Sequence, residues 1–142
     1  MDPALETALN LLLESERAGV AALEMLLAEA KHPELRRFLA GSREVERRNA
    51  DELADLIRAN GGRPSDRTGP FAAKVAAMGT LREQLNLMAR GQEWAARKTE
   101  QALALAPPAG AIRDYLAAMA NRHRAEAEWG RAAVIKLLDT LA

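Results

Sequence analysis

The sequence predicts an all-α fold, a bundle of four long helices. Ala, Leu, Glu and Arg dominate the chain while Val and Ile are scarce, a composition that favours helix over strand. Apolar residues recur at three- and four-residue steps, which is the helical period. The breaks in that pattern fall at a few places rich in Pro and Gly, with long segments between them. A chain of 142 residues is the size of one domain with its own core, so residues 1–142 are expected to form a single four-helix-bundle domain.

The elements follow in order. The first helix starts after Asp2 as N-cap, with Pro3 at its first position, and ends near Lys31, where His32 and Pro33 interrupt it. His32 reads as a loop or cap residue. The second helix runs from about Pro33 to Asn60 and stops at Asn60-Gly61-Gly62, a sequence suited to a left-handed cap. RPSDRTGP is turn chemistry, and FAAKVAAMG after it is short and apolar. Thr80-Leu81-Arg82-Glu83 has the form of a capping box, which starts the third long helix at Leu81. The link from Gly61 to Thr80 is then about twenty residues, enough to return along helices about 40 Å long. A long crossover between the second and third helices is therefore expected. The competing reading starts the third helix at Phe71 and gives simple up-and-down topology. Pro107-Pro108-Ala109-Gly110 makes a turn, and the fourth helix runs from about Ala111 to Leu141.

Composition excludes several functions. Twenty basic and twenty acidic residues cancel, so no global field recruits nucleic acid or an anionic membrane. No uncharged apolar run of about 18 residues is present to span a bilayer. There are no cysteines, and MDPALETALN lacks the pattern of a secretory signal, so a soluble protein of a bacterial-type cytoplasm is expected. No phosphate loop, Ser/His/Asp order or thiol nucleophile occurs. Met25, Met78, Met88 and Met119 read as core filling. Trp94 and Trp129 lie off the main stripes of their helices, either covering the crossover or in a subunit contact. A homodimer through helix faces is the expected partner arrangement.

The candidate site comes from what interrupts the buried stripes. The first helix shows Leu9, Leu12, Leu13, Gly19, Val20, Leu23, Leu26 and Leu27 on one face, with Glu16 in the middle. The second shows Leu35, Phe38, Leu39, Val45, Leu53, Leu56 and Ile57 around Ser42, Glu46 and Asn49. In the third, Gln92 lies between Met88 and Ala95; in the fourth, His123 sits at the centre with Glu126 near it. A polar residue in a buried stripe costs free energy unless it is satisfied. Each interruption lies near the midpoint of its helix, so all of them fall in one layer. The spacing repeats as well: Glu16 to Glu46 is 30 residues and Gln92 to Ala120 is 28, each second position followed three residues on by Asn49 or His123. The two halves read as divergent copies of one helical hairpin.

A Glu on one helix and a Glu-x-x-His on the next, given twice around a long crossover, resembles the ferritin-like di-iron carboxylate proteins. The stretch ARGQEWAARK around Gln92 also resembles small uncharacterised bacterial members of that superfamily. The resemblance implies a ferritin-like four-helix bundle and a metal centre in the polar layer. The ligand set departs from the pattern: Glu16, Glu46 and His123 match, whereas Asn49 replaces a His, Gln92 a Glu and Ala120 a Glu. The centre implied is thus degenerate, with metal-site residues Glu16, Glu46, Asn49, Gln92, His123 and Glu126. It would take at most one iron, manganese or zinc ion, or none. No enzyme activity is expected; any that survived would be a metal-dependent oxidoreduction of the di-iron carboxylate type, on an unknown small molecule. The alternative is a metal-free interaction or dimerisation module in which Glu, His, Gln and Asn satisfy one another.

Overall fold

The computed structural model describes residues 1–141. It contains four long helices and one short one: α1 (Pro3–Glu29), α2 (Pro33–Ala59), α3 (Phe71–Ala76), α4 (Leu81–Leu105) and α5 (Ala111–Leu141). No described residue is in a strand. The starts are where the caps put them. The Asp2 carboxylate accepts from Leu5 N–H at 3.2 Å, His32 Nδ1 from Glu34 N–H at 3.2 Å and Thr80 Oγ1 from Glu83 N–H at 3.1 Å. Gly61, at φ +80°, ends α2 in the left-handed conformation that favours glycine, and Gly62 N–H bonds back to Ile57 C=O at 2.9 Å.

The chain between α2 and α4 returns along α1, so the long crossover holds and the up-and-down alternative does not. One stripe of α1 secures it. Glu6 accepts from Arg63 N–H at 2.7 Å, and Asn10 accepts from Ser65 N–H at 2.7 Å while donating to Arg63 C=O at 3.0 Å. The Arg17 guanidinium reaches the carbonyls of Ser65 and Arg67, and Gly69 N–H meets Glu14 C=O at 3.4 Å. Glu6, Asn10, Glu14 and Arg17 are three or four residues apart and share a helix face, so α1 supplies the partners an extended backbone segment lacks. Val75 of α3 then anchors the crossover, fully buried beside α1 and α4.

α1 and α2 form one antiparallel hairpin, α4 and α5 the other, with α1 also packed on α4 and α2 on α5. The apolar side chains make two clusters. One, at the end holding the α4–α5 turn, contains Leu9, Leu13, Leu53, Ile57, Leu116 and Met119; the other contains Leu23, Leu26, Leu39, Val75, Leu85 and Val134. Between them the buried positions turn polar at Glu16, Glu46, Asn49 and His123. The stripe reading errs at Val45, which is 37% exposed, because α2 presents its core face through Glu46 and Asn49 at this level. No described helix is long and apolar enough to cross a membrane.

Candidate functional site

The polar layer draws on all four long helices, and hydrogen bonds join the members on α2, α4 and α5. Gln92 Nε2 donates to Glu46 Oε1 at 2.9 Å. That bond fixes the amide, leaving Gln92 Oε1 to accept from His123 Nδ1–H at 3.0 Å. The far side of the imidazole, Nε2, stands 2.9 Å from Glu16 Oε1, and Glu126 Oε2 lies 3.4 Å from Nδ1. Asn49 is buried one turn from Glu46 but has no side-chain bond into this chain among the described contacts. Glu126 is 31% exposed and sits at the rim of the layer.

Two buried atoms are left over. Glu46 Oε2 has no hydrogen-bond partner, and neither has His123 Nε2. The Nε2 to Glu16 separation is short, but the ring N–H points off the line to the oxygen, so that contact acts by charge. Burial acts on the two groups with different results. Glu46 is pushed well above the ordinary carboxylate range, first by desolvation and then by the Glu16 charge, with His123 and the Gln92 bond pulling the other way. For His123 desolvation is the largest influence and lowers its pKa, but Glu126 and Glu16 together outweigh it, and the value rises to about 9. At neutral pH the centre of the layer is an imidazolium held between carboxylates.

Gly19 reads from sequence only as part of an apolar stripe, yet it makes room for the site. A Cβ there would stand 2.7 Å from the Glu46 carboxyl carbon, so α1 admits that carboxylate only because residue 19 has no side chain. A mid-helix glycine three residues after Glu16 is the signal that sequence offers. Thr99 carries no such signal; it is buried but spends its hydroxyl on Ala95 C=O at 2.7 Å within α4.

The layer opens into a cavity of about 560 Å³ between α1, α3 and α4. Glu16, Glu46 and His123 form its buried inner end, Phe71, Met88 and Trp94 its walls, and Lys74, Arg90 and Arg97 its exposed rim. Trp94 therefore faces the crossover, with the Lys98 ammonium 5.7 Å from its ring centre. Trp129 is 70% exposed. A further hollow of about 340 Å³ beside Met1, Leu5 and Ile112 has Asp2 as its one carboxylate among the described residues and gathers no polar cluster.

The family described as Domain of unknown function (DUF6306) matches residues 4–136. The chain belongs to this family. No curated protein sequence matches it. Among solved structures this DUF6306 member is similar to one titled as ferritin like, diiron-carboxylate proteins from Bacillus anthracis str. Ames. The TM-score is 0.69 at 17% identity, covering 98% of this chain and 96% of that one. Its fold is thus ferritin-like; likeness at that identity carries the fold and not the chemistry.

The residues present do not fit a two-metal centre. Gln92 and Asn49 are uncharged amides, Ala120 has no donor, and Gln92 already bonds both Glu46 and His123. No group of three or more His, Cys, Asp or Glu side chains among the described residues is arranged to hold a metal ion. The two orphaned atoms, an imidazole nitrogen and a carboxylate oxygen, are nonetheless of the types that ligate iron, manganese or zinc.

Proposed function

We propose that this ferritin-like protein carries a degenerate di-metal carboxylate site that binds at most one cation, weakly. The observation that supports it is Gln92, an amide hydrogen-bonded at once to Glu46 and His123. It stands where the family pattern puts a second lone carboxylate. Glu16, Glu46 and His123 would hold a single ion after side-chain rotation out of their present contacts with Gln92 and with one another, with Asn49, Gln92 and Glu126 around them. Charge neutralisation of two buried carboxylates is the chemistry one cation supplies there. The protonated His123 competes for the same role, because a ligating imidazole must be neutral. Metal analysis of protein purified without chelator, followed by zinc and iron(II) titration of the wild type and of Glu16→Ala/His123→Ala, is expected to give no more than one ion per chain, lost in the variant. Two ions per chain would overturn the proposal, and equal binding by the variant would remove its ligands.

The second reading is the metal-free module, favoured by the Glu46–Gln92–His123 hydrogen bonds and the Glu16 carboxylate beside the imidazole. In it the imidazolium does the neutralising, and α5 carries the contact surface. Trp129 and Ile135 are 70% and 63% exposed, which suits the expected homodimer. Sedimentation of the wild type and Trp129→Arg tests it: a dimer that the substitution dissociates is the expected result, and a monomer at high concentration counts against it.

A further inference from the structure

We infer that α5 binds α5 of a second copy of this chain, antiparallel, with Ala132 of each copy at the two-fold axis. The inference rests on the reading of α5 as a contact surface and gives that surface its partner, direction and register. It draws on neither the polar layer nor a metal. α5 packs on α4 and α2, and its inner side carries the buried Ala127, Val134 and Leu138. On the outer side Ala125, Trp129, Ala132 and Ile135 follow at three- and four-residue steps, all exposed, so they share one helix face. Trp129 and Ile135 are the two most exposed large apolar residues among those described. A solvent-facing stripe that includes tryptophan has the composition of an interface.

The charges beside the stripe favour a second copy as the occupant. Glu128 and Lys136 lie four residues before and after Ala132, and Trp129 and Ile135 lie three before and after it. A two-fold axis at Ala132 reverses this order in the second copy, because a self-complementary contact pairs each residue with its counterpart twice. Glu128 then stands level with the partner's Lys136, and Trp129 with the partner's Ile135. Both charged residues are exposed, and neither is in an ion pair among the described residues. Arg124 and Arg131 are already paired within the chain, with Glu100 and Glu93 of α4. A parallel pair would set Glu128 against Glu128 and Lys136 against Lys136, which like-charge repulsion disfavours. Alanine at the axis permits close approach: helix axes about 9 Å apart bring the two Cα atoms of residue 132 to about 4–5 Å.

The test uses the full chain, which has no cysteine of its own. Ala132→Cys and Ala125→Cys are oxidised in parallel, and the disulfide-linked dimer is followed on non-reducing gels. Ala132→Cys is expected to cross-link at least about tenfold faster, because the two copies of residue 125 stand about 21 Å apart along the axis, beyond the reach of a disulfide. Adding Trp129→Arg should slow Ala132→Cys to the Ala125→Cys rate. In sedimentation, Glu128→Lys should weaken the dimer about tenfold and Glu128→Lys/Lys136→Glu should restore it, since two ion pairs per dimer are reversed and then rebuilt. All these positions are exposed, and circular dichroism confirms that each variant is folded. Equal cross-linking at residues 125 and 132, or a double swap that does not restore the dimer, overturns the direction and register while a Trp129-dependent dimer leaves the contact surface standing. A monomer at high concentration, or cross-linking indifferent to Trp129→Arg, overturns both.

Discussion

The two hairpins are unequal. In the first, α1 buries eleven residues, from Leu5 to Leu27; in the second, α4 buries four, Leu85, Ala96, Thr99 and Ala102. The cause is position. α1 is enclosed by α2, α4 and the crossover, whereas α4 has the cavity on the side facing α1. The first hairpin also supplies the two buried carboxylates of the layer, Glu16 and Glu46, while the second supplies Gln92, His123 and, at the rim, Glu126. The half built on the closely packed α1 thus holds the two buried acids, and the half built on α4 supplies the amide, the imidazole, the rim carboxylate Glu126 and the open space.

The largest expected effect comes from cutting into the packed half. Leu13→Ala, at a fully buried leucine, should cost about 2–5 kcal/mol in chemical denaturation. Met88→Ala on the cavity wall, half-buried, should cost under about 1 kcal/mol, since less surface and no sealed void is involved. Equal losses would mean that α4 is as tightly packed as α1.

Next in size is the pH dependence of the layer that joins the halves. The His123 pKa is raised from 6.5 to about 9 by folding, so its stabilisation is full below about 6.5 and is lost as pH rises through about 9. Glu46 is raised too, and the folded state therefore also favours its protonated form, with stability falling as pH climbs above the ordinary carboxylate range. Both act in the same direction. Stability should fall between pH 6.5 and 9 by an amount on the order of 3 kcal/mol, since each tenfold gain in proton affinity on folding is worth about 1.4 kcal/mol. His123→Gln should flatten that part of the profile, and a wild type whose melting temperature is level there would mean that the imidazole gains no proton affinity on folding.

The smallest effect has opposite signs in the two hairpins. Gly19→Ala pushes on the Glu46 carboxyl group and its bond to Gln92, and a net loss of about 1 kcal/mol is expected once the helix preference for alanine is counted. Gly130→Ala meets nothing within 4 Å and should gain up to about 1 kcal/mol from that preference. Melting temperatures of the two variants decide it; a gain at both positions would show that Glu46 moves aside freely.

Much of the candidate site was legible as pattern. Glu16, Glu46, Gln92 and His123 each interrupt an apolar stripe, and the cost of an unsatisfied polar group in a core makes such interruptions informative. Asn49 satisfied the same criterion and is buried, but burial does not determine which neighbour a side chain bonds. Gly19 and the cavity were not legible, because clearance between helices depends on how closely two backbones approach.

Sequence alone determined the four helices, their caps, the crossover length and the level at which the polar residues lie. These are local properties of caps, turns and the helical period, so residues near in sequence suffice. Tertiary structure alone decided that α1 binds the crossover through Glu6, Asn10 and Arg17, that Gln92 stands between Glu46 and His123, and that Glu46 keeps one oxygen free. Those outcomes depend on rotation and spacing between helices far apart in the chain, where about an ångström separates a closed hydrogen bond from an open acceptor.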